Sequence, residues 1–381
     1  MRALNNSVDT ECNLERIATT RPEQWLYLVG EGGIVYSETR NRFAGLDALG
    51  VSAYRAFDAD ASVDDLRQVS SSASSVGLEA IHDLCQGIFP PEEAAADWHA
   101  LDATICEPRT ANIEIHGIPI SLQYPSGPLQ ELCRDFFRNS APSNRPACCQ
   151  LSAQQTETGW AIYVNGHRFF SLQREHQLGL GLMHAARSML YAEGRYDVAF
   201  HAAAVAHGGS GIMLCAPREA GKSTLAAYLV SQGLDLLTDE PALLDLDTGT
   251  LASLGVPLSL KQGSWSVLRR QWPQLDSAPI HLRSDGAKIR LVHPSAEQYS
   301  TQPRRLARIV FSQYSPSPAA EVEPVSPLHT LGYLNQGGML LHQHLGRAKL
   351  EAFLEFICRT PAYKLRYSSL KDAHQILLEL N

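Results

Sequence analysis

The residues with the clearest chemical potential lie in one short segment, "APREAGKS". A small residue, four free positions and then Gly-Lys-Ser fit the relaxed pattern of a phosphate-binding loop, whose backbone N–H groups bind phosphate oxygens. Gly221 lets the backbone approach, Lys222 is expected at the β- and γ-phosphates, and the Ser223 hydroxyl is a ligand for Mg²⁺. The predicted nucleotide-binding residues are Ala216, Pro217, Arg218, Glu219, Ala220, Gly221, Lys222, Ser223 and Thr224. Ala216 stands where glycine is commoner, which costs little if its φ is negative.

Two acidic residues, Asp239 and Glu240, follow the loop in "LLTDEP", at the end of the next expected strand. A carboxylate there can hold Mg²⁺ through water or accept the proton of an attacking hydroxyl. Acidic residues in such turns also serve as caps. Because the pair follows Ser223 at the end of the next strand, a functional role is the favoured interpretation.

The elements that must position these residues alternate between buried strands and helices. A buried strand, "SGIMLCA", precedes the loop, and an apolar helix, "STLAAYLV", follows it. "LDLLTDEPALLDLDTG" is typical of a strand, an acidic turn and a second strand. This alternation predicts an α/β core. Further elements are predicted in "HQLGLGLMHAARSMLYAEG" (helix), "RLARIVFSQY" (strand), "GRAKLEAFLEFICRT" (helix), "AYKLRYSS" (strand) and "LKDAHQILLEL" (helix).

Upstream of this core the composition changes twice. Residues 24–99 are predicted to form mostly short helical elements. In residues 111–172 apolar and polar residues alternate with period two, as they do in strands. We therefore predict a flexible segment over 1–22, an accessory domain over 23–105, and a catalytic domain over 110–381. Within the last, 110–190 is a β-rich entry segment and 190–381 the phosphate-loop core.

Bulk properties exclude several classes of protein. The chain has 381 residues, 44% of them hydrophobic and 19% charged, with a formal net charge of −8. That balance is globular, and it argues against binding to nucleic acid or to an acidic membrane surface. No apolar run reaches the ~18 residues that span a bilayer, and the first residues lack the apolar core of a secretory signal. The eight cysteines show no metal-binding spacing, so we expect free thiols and a cytoplasmic location.

Taken together, residues 201–206, the loop, "GLDLLTDEPALLD" and "PLSLKQGS" resemble the HPr serine kinase/phosphorylase family, nearest to its HPr-kinase-related branch. "AYKLRYSSLKDA" is also similar to that branch. The resemblance covers roughly residues 110–381 and implies an HPr-kinase/PEP-carboxykinase-like catalytic core that uses ATP and Mg²⁺.

The resemblance also implies roles for individual residues. His201 matches the histidine beside the transferred phosphate, and Asp239 matches the aspartate that deprotonates the acceptor serine. Lys222 and Ser223 match the loop lysine and serine, and Glu240 stands where a second acidic group assists the metal. The family often forms hexamers, but the N-terminus of this chain differs, so a homo-oligomer is left open.

One departure from the family pattern lies downstream, in "PLSLKQGSW". Lys261 stands where the family has an acidic metal ligand, which puts phosphorolysis of a phosphoserine in doubt and suggests that Lys261 contacts phosphate. Lys288 and Arg290, in "GAKIRLVHP", are further candidates for phosphate contacts, although basic residues on a strand are often only solvated.

The N-terminal region resembles the PqqD-like peptide-recognition fold, a small α+β winged-helix-like domain. "IVYSETRNRFAGLDALGVSAYRAFDADASVDDLRQV" has its hairpin, helix and second helix, with Leu46, Val51, Tyr54 and Phe57 on one helix face. Such domains bind leader segments of ribosomally made peptides by β-augmentation. An accessory helical subdomain is the alternative.

The sequence is compatible with three functions. The first is an ATP- and Mg²⁺-dependent kinase whose hydroxyl acceptor belongs to a precursor peptide or small protein. The second is a kinase of the same fold with a small-molecule acceptor. The third is a regulatory module that binds ATP or GTP without phosphoryl transfer.

Overall fold

The computed structural model describes residues 14–17, 19, 23–30, 32–38, 42–46, 48–58, 108–127, 129–217, 220–283, 285–316, 320–342 and 345–380. The strands are β1 (Leu14–Ile17), β2 (Gln24–Val29), β3 (Gly32–Ser37), β4 (Arg42–Leu46), β5 (Pro108–Ile115), β6 (Ile118–Pro125), β7 (Ala141–Pro142), β8 (Cys149–Thr156), β9 (Gly159–Val164), β10 (His167–Leu172), β11 (Val198–Phe200), β12 (Ala202–His207), β13 (Ser210–Cys215), β14 (Asp235–Thr238), β15 (Ala242–Asp245), β16 (Thr250–Leu251), β17 (Leu258–Lys261), β18 (His281–Leu282), β19 (Lys288–Val292), β20 (Arg304–Tyr314), β21 (Glu321–Pro324), β22 (Met339–Leu341) and β23 (Ala362–Tyr367). The helices are α1 (Ala48–Asp58), α2 (Leu129–Asp135), α3 (Leu178–Glu193), α4 (Lys222–Ser231), α5 (Gln262–Leu268), α6 (Pro327–Gln336), α7 (Gly346–Arg359) and α8 (Leu370–Glu379).

The chain divides into two compact units that do not follow chain order. The first unit comprises Met1–Glu93, Pro324–Gln336 and Gln343–Ala362, and the second comprises the rest. Helices α6 and α7 thus belong with the N-terminal strands. The domain boundaries drawn from the sequence, which are consecutive ranges, stay a prediction.

The first unit is built on an antiparallel sheet of order β1-β2-β3-β4. Leu26, Val35, Leu46, Val51 and Tyr54 form its buried core. The predicted hairpin and following helix are present as β3, β4 and α1. The expectation of a helical region from residue 24 onward is wrong over 24–46, because apolar residues on β2 and β3 pair as strands.

Two further predictions for the N-terminal region concern a shared helix face and a second helix. Leu46 is the last residue of β4 and does not share a helix face with Val51 and Tyr54, although all three side chains are buried together. The side chain of Phe57 and the second predicted helix, "DASVDDL", lie outside the described residues. So does the predicted flexible segment 1–22, apart from Thr19 and the residues of β1.

The second unit carries the α/β core and three sheets. A sheet of order β10-β9-β8-β6-β5-β7 confirms the period-two pattern of residues 111–172. The largest sheet among the described residues has ten strands, with the path β14-β12-β13-β20-β16-β15-β11-β22, with β23 beside β20 and with β21 beside β23. A third sheet has the order β17-β19-β18. Helix α4 packs on the large sheet through Leu225, Leu229 and Val230, which are fully buried.

The structure bears on two predictions made from composition, which concern membrane-spanning helices and the state of the cysteines. No helix in the described part of the chain is long and apolar enough to cross a membrane. Cys133, Cys148, Cys149 and Cys215 are free thiols. The expectation that all cysteines are free is wrong at Cys358, which is disulfide-bonded.

Candidate active site

The segment predicted to bind phosphate joins β13 to α4, so the strand and the helix that the sequence predicts around it are confirmed. Gly221 has φ +89° at the N-terminus of α4, a left-handed conformation that favours glycine. Ala216 is buried and, unlike Gly221, does not have a positive φ, so alanine is tolerated at the start of the loop. Arg218 and Glu219 lie outside the described residues.

Lys222 is buried and points back to the strand before the loop. Its Nζ donates a 2.9 Å hydrogen bond to the backbone carbonyl of His201 and lies 3.9 Å from Glu240 Oε2. Burial lowers the pKa of Lys222, and the nearby carboxylates of Glu240 and Asp239 oppose this only in part. The loop lysine is therefore held inside the site.

Glu240 is the centre of a cluster of basic groups. His201 Nδ1 lies 2.9 Å from Glu240 Oε1, and Arg187 Nη1 lies 2.7 Å from the same oxygen. Burial alone would raise the pKa of Glu240. The hydrogen bond with His201 and the positive charges around the carboxylate outweigh burial and lower the pKa to about 2. Oε1 of Glu240 thus has two basic partners, and metal binding by Glu240 stays a prediction.

Arg187 is a site residue that the sequence did not reveal. It lies on α3, predicted as a helix, and nothing in its spacing distinguishes it from a solvated charge on a helix face. The ion pair with Glu240 spans 53 positions of sequence. Only the tertiary fold brings the two together.

Asp239 follows β14 and is almost completely buried, at 5% exposure. Its Oδ2 accepts a 2.8 Å hydrogen bond from the backbone N–H of Ser259, at the start of β17. Among the residues that the structure describes, no group donates a hydrogen bond to its Oδ1. One carboxylate oxygen is therefore fixed, and the other is buried without a hydrogen-bond donor.

The pKa of Asp239 is raised, first because burial disfavours its charged form and also because Glu240 is close. The N–H of Ser259, the charge of Lys222 and the hydroxyl of Ser223 pull the pKa down without cancelling the rise. A raised carboxyl pKa beside a phosphate-binding loop is typical of a group that accepts a proton during a reaction.

The groups that could hold a divalent cation are the Ser223 hydroxyl and Asp239 Oδ1. Hydroxyl and carboxylate oxygens are ligands that Mg²⁺ prefers, and it commonly uses one or two of them and completes its shell with water and phosphate. Within the described part of the chain, no three His, Cys, Asp or Glu side chains group as a metal site. The site thus fits a cation held together with a phosphate better than a metal caged by protein.

The remaining loop residue, Thr224, contacts the helix after β17. Its Oγ1 lies 2.6 Å from Ser264 Oγ of α5. This links α4 to the segment that also supplies the Ser259 N–H. The β17–α5 segment is therefore part of the candidate site. The sequence pointed to this segment only because Lys261 departs from the family pattern.

The three basic residues proposed as phosphate contacts have different surroundings. Lys261 is half-buried at the N-terminus of α5, two residues after Ser259. The backbone N–H of Ala287 is the main cause of the lowered pKa of Asp285, and the charge of Lys261 contributes. Lys288 is exposed on β19. The guanidinium of Arg290 lies 4.4 Å over the ring of Trp265 and donates to the carbonyl oxygen of Leu275. These contacts give Arg290 a packing role, and phosphate binding by any of the three stays a prediction.

Comparison with known proteins adds little to this geometry. No protein-family model matches the chain, and no curated protein matches it. Among solved structures, the chain is similar to the HPr(Ser) kinase/phosphatase of Coxiella burnetii, with 12% identity and a TM-score of 0.23. The match covers 48% of this chain and 98% of that chain. So low a TM-score decides neither the fold nor the activity, and nothing found supports the PqqD-like resemblance.

Proposed function

We propose that the protein is a kinase that transfers the γ-phosphoryl group of ATP to a hydroxyl acceptor, with Mg²⁺. One observation carries the proposal. The buried carboxylate of Asp239, with one oxygen held by Ser259 and the other buried without a hydrogen-bond donor, lies beside the lysine and serine of the predicted phosphate-binding loop.

The donor site rests on the loop. The first N–H groups of α4 have no helical partners, so they can bind phosphate oxygens at the helix N-terminus. Lys222 adds a positive charge whose position is fixed by the carbonyl of His201. These groups stabilise negative charge on the transferred phosphoryl group because they are oriented before the reaction begins.

Mg²⁺ would be held by Ser223 and Asp239, and when bound it neutralises charge between the phosphate oxygens. An ionised carboxylate has about four acceptor positions, and Ser259 takes one of them in Asp239. Enough capacity remains for Asp239 both to assist the cation and to receive a proton.

Asp239 acts as the general base. Its raised pKa makes it a better proton acceptor than a solvated aspartate. It takes the proton of the acceptor hydroxyl as the oxygen attacks the γ-phosphorus, and ADP leaves. His201 stays beside the reacting groups, oriented through its Nδ1 by Glu240.

The acceptor that we propose is a serine-like side chain of a ribosomally made precursor peptide or a small protein. The first unit supports this, since β1 and β4 are the outer strands of its described sheet and outer strands can take up an extended peptide. A small-molecule acceptor and a regulatory module without transfer are the alternatives.

The test is to incubate the full chain with γ-labelled ATP, Mg²⁺ and the short peptides encoded beside its gene, and to find the phosphorylated product by mass spectrometry. Label on a peptide supports the proposal as a whole. Label on a metabolite alone would overturn the peptide acceptor and keep the kinase. Bound ATP with no transfer to any acceptor would favour the regulatory module.

A further inference from the structure

A tyrosine on the rim of the phosphate-binding loop is the most exposed large apolar side chain in the described part of the chain. Tyr314 ends β20 and is 58% exposed. Single exposed apolar side chains are common and need no explanation by themselves. The position of Tyr314 relative to the loop sets it apart.

Strand β20 runs parallel to β13, with Phe311 opposite Cys215. The loop leaves the sheet directly after Cys215, whereas β20 continues for three residues to Tyr314. At about 3.3 Å per residue, Tyr314 lies roughly 10 Å beyond the level where the loop begins. Tyr314 therefore lies past the point at which the predicted loop leaves the sheet.

Tyr367 connects Tyr314 to the loop. The two rings meet edge to face with centroids 6.0 Å apart, and the backbone N–H of Ser315 donates a 2.8 Å bond to the Tyr367 carbonyl. The ring of Tyr367 is buried, and a Cβ placed on Gly221 would lie 3.4 Å from its hydroxyl. The exposed ring of Tyr314 thus packs on the buried side chain of Tyr367, whose hydroxyl lies near Gly221 of the loop.

Tyr314 and the two catalytic candidates flank β13 through different strand pairings. β12 pairs with β13 on one side and β14 pairs with β12; His201 precedes β12, and Asp239 follows β14. Strand β20, which ends at Tyr314, pairs with β13 on the other side. A triphosphate with its γ-phosphate beside Asp239 can therefore place its nucleoside on the β20 side, where Tyr314 lies.

From this geometry we infer that Tyr314 is the stacking platform for the base of the bound nucleotide, a purine in the proposed reaction. The inference rests on the proposed function, since it takes the loop to bind a nucleoside triphosphate. Every base offers a π-face, and an aromatic ring contacts it without hydrogen-bond readout. Such a platform accepts adenine and guanine alike, so this contact favours purines without choosing between ATP and GTP.

The experiment compares binding of ATP and of tripolyphosphate, a probe without a base, by isothermal titration calorimetry. We expect Tyr314→Ala to weaken ATP binding by about tenfold, within the range that alanine substitution gives for base stacking, and to leave tripolyphosphate binding unchanged. Tyr314→Phe keeps the ring and should bind ATP within about twofold of the wild type. Tyr333→Ala, a second exposed tyrosine, on α6, is the matched control and should change neither affinity.

Each outcome decides one question. If ATP binds the wild type no more tightly than tripolyphosphate does, or if Tyr314→Ala binds ATP as the wild type does, the stacking platform is wrong and the phosphate site stands. If Tyr314→Ala weakens both ligands equally, the ring has a structural role only, and the inference is again wrong. If the wild type binds neither ligand, the proposed function itself fails.

Discussion

Arg187 and Glu240 form an ion pair with 2.7 Å between Nη1 and Oε1, and each side chain is 25% exposed. Glu240 in turn contacts His201, and Lys222 lies nearby. Glu240 thus links α3, the start of β12 and the phosphate-binding loop, which are far apart in sequence. The Glu240 carboxylate therefore connects three parts of the candidate site.

Arg187→Ala should destabilise the protein by about 2 kcal/mol, since it removes a hydrogen-bonded charge from a partly buried carboxylate. The free energy of unfolding in urea measures the loss. Arg187→Ala in a Glu240→Gln background should lower the free energy of unfolding by less, because the carboxylate that pairs with Arg187 is absent. Arg195→Ala, an exposed arginine, is the control. Equal costs in both backgrounds would show that Arg187 acts by packing alone.

The acid stability of the protein should depend on Glu240. Its pKa is lowered from 4.5 to about 2 in the folded state, so its ionised form stabilises the fold above pH 4.5, and that contribution is lost as the pH falls toward 2. The difference in unfolding free energy between wild type and Glu240→Gln should therefore shrink over that window. A difference that stays constant from pH 5 to pH 2 would contradict the lowered pKa.

The raised pKa of Asp239 changes stability with pH in the opposite direction to the lowered pKa of Glu240. Folding favours the protonated form of this carboxyl, so the charged form costs stability, and the cost grows as the pH rises above its ordinary value of 3.8. Asp239→Asn should therefore gain thermal stability relative to wild type, more at pH 8 than at pH 4, with nucleotide and metal absent. Thermal unfolding monitored by circular dichroism measures this. A variant less stable than wild type at pH 8 would show that the carboxylate is needed for the fold.

A second buried carboxylate, Asp135, has a structural task. Its two oxygens lie 2.9 Å from His281 Nε2 and from His293 Nε2. Burial would raise the pKa of Asp135, but the hydrogen bonds from both histidines outweigh it and lower the pKa. Asp135→Asn should therefore lower the unfolding free energy by about 3 kcal/mol at pH 7, with a smaller loss at acid pH. ATP affinity, measured where the variant is folded, should not change; a large drop would place Asp135 in the nucleotide site.

Local patterns predicted the secondary structure around the candidate site. The loop, its flanking strand and helix, and the acidic turn all lie between Ser210 and Asp245, where short-range spacing determines the structure. The rest depends on contacts that no local pattern encodes, namely Arg187 with Glu240 and Ser259 with Asp239. The sequence could not assign a role to Arg290, because a basic residue on a strand has the same pattern whether it binds phosphate or covers Trp265. Residues 24–46 were misread for a similar reason, since short apolar runs do not distinguish helix from strand.

Loss of the loop lysine should affect binding and transfer together. Lys222→Ala removes a buried charge from the expected position of the β- and γ-phosphates, so ATP affinity and phosphoryl transfer should both fall, each by about tenfold or more. Calorimetry and a γ-phosphate transfer assay give the two values. Lys371→Ala, an exposed lysine on α8, should leave both unchanged. Unchanged ATP affinity in Lys222→Ala would argue against the donor site.

The proposed role of Asp239 as the base of a phosphoryl transfer can be tested by one paired measurement. γ-Phosphate transfer and ATP affinity are measured on wild type and Asp239→Asn under the same conditions. We predict that Asp239→Asn loses roughly 100- to 10,000-fold in transfer rate while its ATP affinity stays within a few fold of wild type. An equal loss of transfer and affinity, or full transfer by the variant, would contradict the account.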